Sequence, residues 1–339
     1  MSVFGVAVNA VAPVVLVIGL GYWLKQRAFL SAGFLKESNW LVFHVCMPVM
    51  LFVNVYDTGS FADINWQLIL YCIAVSLAIY VLGLITAVAV TSLPERRGVI
   101  WQSTFRSNFA ILGLAMASSL GGPETEALVA VTSSFLIPVF NVLGVVALSV
   151  FTDAGHRENH SVSKVLRNTV RNPLIIGAVL GMVCLAVREV QRAVFGQVLF
   201  SIRGQLTFLY TVLKNIKSIT TPFALLILGG QFTFTAVQGL FKEILAGTLW
   251  RLVLAPVLGI GGAWLLSRAG MLQCGTGEYA TLLALFGAPA AVASAIMAGE
   301  MGGDEQLATQ IVVWSTLFSA VTFFLQAVLM IRFGLLSVL

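Results

Sequence analysis

Apolar runs of about 20 residues recur along this chain, separated by short clusters of charge or of glycine and proline. A helix rises about 1.5 Å per residue, so runs of that length match the ~30 Å hydrocarbon layer of a bilayer. They predict spans over residues 4–24, 38–56, 66–92, 99–120 and 125–151. A polar stretch at 152–169 follows, and then spans over 170–188, 206–231, 243–267, 277–299 and 305–333. Residues 191–203 are a candidate interfacial amphipathic helix. The stretch Asp153-Ala-Gly-His-Arg-Glu-Asn-His-Ser is the one loop that looks like a linker. It divides the chain into a first five-span unit at 1–152, a linker loop at 153–169 and a second five-span unit at 170–339.

Composition points the same way. Of 339 residues, 59% are apolar and only 10% are charged, with a mean hydropathy of +0.97, whereas a water-exposed surface takes about 25% charged residues. The class is therefore an all-α polytopic membrane protein. The excess of 19 Lys and Arg over 14 Asp and Glu belongs to cytoplasmic loops and does not point to nucleic acid. Cys46, Cys72, Cys184 and Cys274 are isolated from one another and show neither a disulfide framework nor metal spacing. Residues 1–13 carry no basic region and no small-residue cleavage site, so they read as a retained first span.

Charge orients the chain. Lys25, Arg27 and Lys36 follow span 1, Arg96 and Arg97 follow span 3, and Arg157, Lys164, Arg167 and Arg171 surround the central loop. Asp57, Asp63, Glu124 and Glu126 mark the intervening loops. This predicts both termini outside and the 152–169 loop in the cytoplasm. The second half is less orderly: Arg188, Arg192, Arg203, Lys214 and Lys217 fall on the predicted outer side, and Glu300, Asp304 and Glu305 on the inner. Early spans dominate orientation, so the assignment rests on the first half.

The two units repeat each other in register order. At an offset of 160, Pro13 and Leu20-Gly21 match Pro173 and Leu180-Gly181, and at 174 Pro48 matches Pro222. At 176, Val81-Leu82-Gly83 matches Val257-Leu258-Gly259, and at 181 Met116-Ala117 and Gly121-Gly122 match Met297-Ala298 and Gly302-Gly303. A single coincidence in apolar sequence carries no weight; an ordered series with a slowly rising offset does. Five spans per unit is an odd number, so the second copy enters the membrane inverted, an architecture common in secondary transporters.

In that architecture the substrate lies near mid-membrane, where matching helices are interrupted. Span 4 holds the polar cluster Phe105-Arg106-Ser-Asn108-Phe-Ala-Ile-Leu-Gly113, and span 9 holds Leu285-Phe-Gly287-Ala-Pro289-Ala-Ala-Val-Ala-Ser294, where glycine and proline weaken the helix. At the offset of 181, Asn108 falls opposite Pro289. An ordinary proline kink with a satisfied Asn is the alternative. Arg106 is either a group that attracts an anionic substrate or an anchor that snorkels to the cytoplasmic face. Arg251, near the start of span 8, reads as an interface anchor. Asn141 and Gln231 are secondary polar candidates, for substrate contact or as interhelical hydrogen bonds.

Nothing in the sequence assembles a reactive cluster. His156 and His160 are four apart, but Gly155 and Asn159 mark a solvated loop and no Cys or carboxylate cluster completes a metal site. His44 has no evident acidic partner, and there is no Gly-Lys-Ser/Thr loop for ATP. No cofactor or metal is expected, and no nucleic acid partner.

The ordered motifs now identify a resemblance. Besides the span 4 and span 9 segments, they include Pro138-Val-Phe-Asn141-Val-Leu, Asn172-Pro173-Leu-Ile-Ile-Gly177, Thr221-Pro222-Phe-Ala-Leu-Leu-Ile-Leu-Gly229-Gly230 and Leu254-Ala-Pro256. Over nearly its whole length the chain resembles the auxin efflux carrier family, which includes plant PIN-FORMED carriers and bacterial permeases for malate- or malonate-like acids. The resemblance implies ten spans in two inverted repeats, as in sodium/proton antiporters and bile acid symporters. It also implies a scaffold of spans 1, 2, 6 and 7, a transport unit of spans 3–5 and 8–10 with spans 4 and 9 broken and crossing, and a carboxylate held near Asn108 and Pro289. One departure is Ala115, in Gly113-Leu-Ala115-Met, where family members usually carry proline. The short central loop lacks the long insert of many plant carriers and favours a bacterial inner-membrane permease.

The expectation is a secondary transporter of a small organic anion working by alternating access. Its substrate-binding candidates are Arg106, Asn108, Gly113, Asn141, Gln231, Gly287, Pro289 and Ser294. The partners are the organic acid and the lipid bilayer, with a homodimer compatible with the architecture. A receptor or scaffold on the same fold and, behind it, a membrane-embedded enzyme are the alternatives.

Overall fold

A computed structural model describes residues 3–57, 65–152 and 171–336. The described chain is almost entirely helical. Eight of its helices are long and apolar enough to cross a membrane.

Helix α1 spans Val3–Gln26. Helix α2, Ala32–Tyr56, opens on Ser31, whose hydroxyl accepts from the Phe34 amide at 3.0 Å, and passes through a π turn at Val42–Cys46. Helix α3 is Trp66–Val90 and α4 is Pro94–Phe105, with Pro94 in its first turn, where a missing N–H costs no ladder bond. A π turn at Phe109–Gly113 leads into α5, Leu114–Thr152. Helix α6 is Pro173–Phe195, α7 is Thr207–Gln231 and α8 is Ala236–Arg268. The two short helices α9, Thr276–Gly287, and α10, Val292–Glu300, precede α11, Glu305–Arg332.

Three differences from the sequence reading have physical causes. The turn expected between spans 4 and 5 at Gly121-Gly122-Pro123 is not taken, and α5 stays helical for 39 residues; proline removes one ladder bond, whereas an open turn in lipid strands several backbone groups. The interfacial helix expected over 191–203 is instead the end of α6, closed by Gly196 at φ +72°, and a single turn at Ile202–Gln205. Helix α8 starts seven residues earlier than expected, because the charge of Glu243 on its first turns is buried and accepts from Arg96 at 3.0 Å. The predicted linker at 153–169 lies outside the described residues.

Lipid-facing surface is explicit. Leu16, Ile85, Val194, Phe208 and Val257 are more than half exposed, as helices bathed in hydrocarbon allow. Between helices, small residues permit close approach. A Cβ on Gly21 of α1 would lie 2.1 Å from the Leu226 carbonyl of α7, and one on Gly181 of α6 would lie 2.8 Å from the Phe52 carbonyl of α2. The same holds for α3 and α8: added Cβ atoms would meet Thr104 of α4 at 2.2 Å from Gly83 and Phe286 of α9 at 2.2 Å from Gly259. These pairs seat the short helices α4 and α9 against the long ones.

Candidate functional site

Two interrupted helices meet inside the bundle. Helix α9 ends at Gly287 because Pro289 supplies no N–H and pushes the preceding Ala288 to extended geometry, φ −68° and ψ 149°. Helix α4 ends at Phe105, and Arg106 is also extended, at φ −83° and ψ 97°. The backbone groups released from the two ladders then bond to each other. The Asn108 amide donates to the Pro289 carbonyl at 2.8 Å, and the Ala291 amide to the Arg106 carbonyl at 3.1 Å. Ser107 and Ala290 face each other as an isolated antiparallel bridge. The Ala290 amide donates to Ser315 Oγ of α11 at 3.1 Å. Buried backbone polar groups must be paired, and here each break supplies partners for the other.

The C-terminal ends of α4 and α9 share a further partner. Arg251 of α8, with no exposed surface, donates Nε to the Ala288 carbonyl at 3.0 Å and Nη1 to the Thr104 and Phe105 carbonyls at 3.3 and 3.1 Å. Its Nη2 reaches the Leu285 and Phe286 carbonyls at 3.3 and 2.6 Å. One guanidinium thus caps two helix ends whose dipoles point their negative poles at it. The interface anchor expected at Arg251 is corrected: the residue lies 15 positions into α8, about 22 Å along it.

Arg106 is likewise buried, 4% exposed, which removes the snorkelling alternative. Its Nη2 donates to Asn141 Oδ1 at 2.6 Å, and Nη1 contacts Met297 Sδ. Asn141 is oriented by its own donation to the Ile137 carbonyl at 2.8 Å. Both of the partners of Arg106 are neutral, and no carboxylate pairs with it among the described residues. Arg106, Ser107, Asn108 and Asn141 line a cavity of about 70 Å³, together with Asn54, Thr220 and Thr221 and the apolar walls of α2, α5, α7 and α10. Ser107 Oγ and Asn108 Nδ2 are buried with no hydrogen-bond partner.

The structure brings together most, not all, of the residues singled out from sequence. Arg106, Asn108 and Asn141 line the cavity. Pro289 forms the crossing through its carbonyl. Ser294 accepts from Gln102 Nε2 at 3.0 Å through its carbonyl, and its Oγ has no partner. Gly113 packs against the Ala284 carbonyl, and Gly287 against Gln326; both shape the breaks without lining the cavity. Gln231 is elsewhere, at the end of α7, where its side chain donates to Glu305 and its carbonyl accepts from Gln306 at 3.4 Å. It belongs to a polar seam in which Asn39 donates to Glu300 at 2.8 Å and His44 lies 3.9 Å from the same carboxylate. Sequence reasoning missed Asn54, Thr220 and Thr221. The signal was available in part, since Thr220 and Thr221 adjoin the helical Pro222.

No curated protein matches this sequence. A family model described as membrane transport protein matches residues 6–326, almost the whole of the helical framework just described. The chain is a multi-pass membrane protein of the membrane transport protein family, which includes the auxin efflux carriers.

Proposed function

We propose that this protein is a secondary transporter that carries a small organic anion, a carboxylate, by alternating access, with the anion held where α4 and α9 break and cross. The observation that carries the reading is Arg106, a buried guanidinium with only neutral partners that borders a cavity beside two unpartnered polar groups. A buried charge without a counter-ion is costly, and an incoming carboxylate supplies one. Guanidinium matches carboxylate geometry through paired donors. Val292 and Ala293, in the first turn of α10, also line the cavity; ladder partners are absent at a helix start, and the dipole there favours an anion.

Arg251 and Arg106 divide the work. Arg251 holds the negative helix ends together, and Arg106 is left for the substrate. The ten-span inverted repeat belongs to the same reading. Its support is that repeat-matched glycines have matched tasks: Gly21 and Gly181 seat α1 on α7 and α6 on α2, and Gly83 and Gly259 seat α3 on α4 and α8 on α9. The pairs α1–α7 and α2–α6 form the scaffold, and the remaining helices form the unit that moves. The seam of Asn39, His44 and Gln231 against Glu300 and Glu305 joins the two bodies. The short central loop favours a bacterial inner membrane.

Counterflow in proteoliposomes tests the reading. Vesicles loaded with a small carboxylic acid should accumulate the labelled acid, and the corresponding neutral amides should not compete. Failure of every acid tested to exchange faster than in protein-free vesicles would contradict it.

A further inference from the structure

The corner between α6 and α7 carries the cations that depart from the charge pattern of the first half. Residues 188–217 hold Arg188, Arg192, Arg203, Lys214 and Lys217 against one acid, Glu189. Two of the five are paired: Arg192 with Glu189, and Lys217 with Asp57 at the end of α2, at 3.7 Å. Arg203 and Lys214 are exposed and pair with no carboxylate among the described residues. They share one aromatic ring instead, lying 6.0 and 5.7 Å from the centre of Tyr210. Arg188 lies 4.8 Å from the centre of Tyr56, and the two tyrosine rings are 6.0 Å apart. The rings are fixed in place: the Tyr210 hydroxyl donates to Asp57 at 2.7 Å, and the Tyr56 hydroxyl accepts from the Arg203 amide at 3.0 Å. Gly196, at φ +72°, ends α6, and a single turn at Ile202–Gln205 leads back into α7. Along this corner Phe195, Phe200 and Phe208 are more than half exposed.

We infer that this corner binds the headgroup of an anionic phospholipid, with its phosphate at Arg203 and Lys214 and its acyl chains along the exposed phenylalanines. A ring face attracts a cation but leaves its net charge in place, so the pair on Tyr210 still calls for an anion. Exposed aromatic side chains beside lysine and arginine suit the boundary between headgroups and acyl chains. A free phosphate would meet the cations and leave the phenylalanines uncovered; a phospholipid meets both. A zwitterionic headgroup brings its own cation and neutralises neither side chain, whereas an anionic one supplies net negative charge. Each Lys or Arg near such a surface contributes about fivefold in binding. The inference stands on this surface alone and does not depend on what the protein transports.

The test is a set of thermal melts of the purified full-length protein in a neutral detergent, titrated with dioctanoyl phosphatidylglycerol, dioctanoyl phosphatidylcholine or inorganic phosphate. A ligand selective for the folded state raises the melting temperature according to its concentration over its Kd. Phosphatidylglycerol should reach half-maximal stabilisation at a concentration at least about tenfold lower than phosphatidylcholine. Inorganic phosphate should give no comparable rise. The double variant Arg203→Gln with Lys214→Gln should need at least about tenfold more phosphatidylglycerol, and each single variant about fivefold more. Arg268→Gln with Arg332→Gln, which removes the same charge at the ends of α8 and α11, should respond as wild type does. Because each single variant carries its own expected shift, failure of the double variant to fold does not spare the inference. Equal potency of the two lipids overturns it, as does a wild-type response from the Arg203 and Lys214 variants. An equal loss in the α8 and α11 control assigns the effect to overall charge, and an equal rise with inorganic phosphate to a free anion; either result also overturns it.

Discussion

The amide of Asn108 donates to the carbonyl of Pro289 at 2.8 Å, joining two residues 181 positions apart in the chain. The bond uses backbone atoms alone and leaves the Asn108 side chain free to act elsewhere. Its Nδ2 has no partner. Asn108→Ala should therefore keep the melting temperature, with a loss no greater than the ~0.6 kcal/mol of an average interhelical hydrogen bond in a membrane. Affinity for the transported acid should fall by about 5- to 150-fold, as about 1–3 kcal/mol of carboxylate contact requires. Melting and counterflow on the same preparation separate the two effects.

Pro289→Ala should likewise impair transport without lowering stability. The carbonyl that receives Asn108 is retained, but an amide is restored where α9 breaks, and alanine favours a continuous helix over proline by up to about 3 kcal/mol. The variant should melt no lower than wild type and transport poorly. Unimpaired counterflow would show that the break is not needed for function.

Arg251→Met should be destabilising by about 3 kcal/mol or more, because it strips donors from five buried carbonyls. Arg251→Lys keeps the charge with fewer, differently placed donors and should recover only part of that loss. Thermal melts of the two variants rank them.

Helix contacts can be checked at matched glycines. Gly21→Val and Gly181→Val force side chains into carbonyls of α7 and α2 and should cost about 1–3 kcal/mol or more. Gly239→Ala, with nothing within 4 Å of its added Cβ, should be neutral or stabilising by up to about 1 kcal/mol.

If the α2 to α10 seam opens during transport, bridging it should stop the cycle. In a chain lacking its native cysteines, Asn39→Cys and Glu300→Cys replace a hydrogen-bonded pair. A short bifunctional thiol reagent should abolish counterflow in the double variant and spare either single one. Full activity after bridging would show that the seam stays closed.

Much of this arrangement was legible in the chain. Pro289 marks its own helix break through covalent chemistry, and the polar run from Arg106 to Asn108 stands out against apolar neighbours. What sequence could not supply was depth. Lys242 looks like the end of a loop, yet the adjoining Glu243 is buried against Arg96; α8 begins seven residues before the expected 243, and Arg251 lands in the interior. Gln231 resembled a mid-membrane polar group for the converse reason: hydropathy does not show which end of α7 faces the cavity. Asn54, Thr220 and Thr221 are ordinary helical polar residues until α2 and α7 pack beside the crossing.

Arg106→Gln, measured by counterflow of a labelled monocarboxylate together with the melting temperature of the ligand-free protein, tests the account most directly. An unpaired buried cation destabilises the fold that holds it, so its removal should leave the melting temperature unchanged or raised while exchange falls by at least about tenfold, equivalent to about 1.4 kcal/mol. Wild-type exchange by Arg106→Gln at an unchanged melting temperature would contradict the assignment of Arg106 as the group that holds the anion.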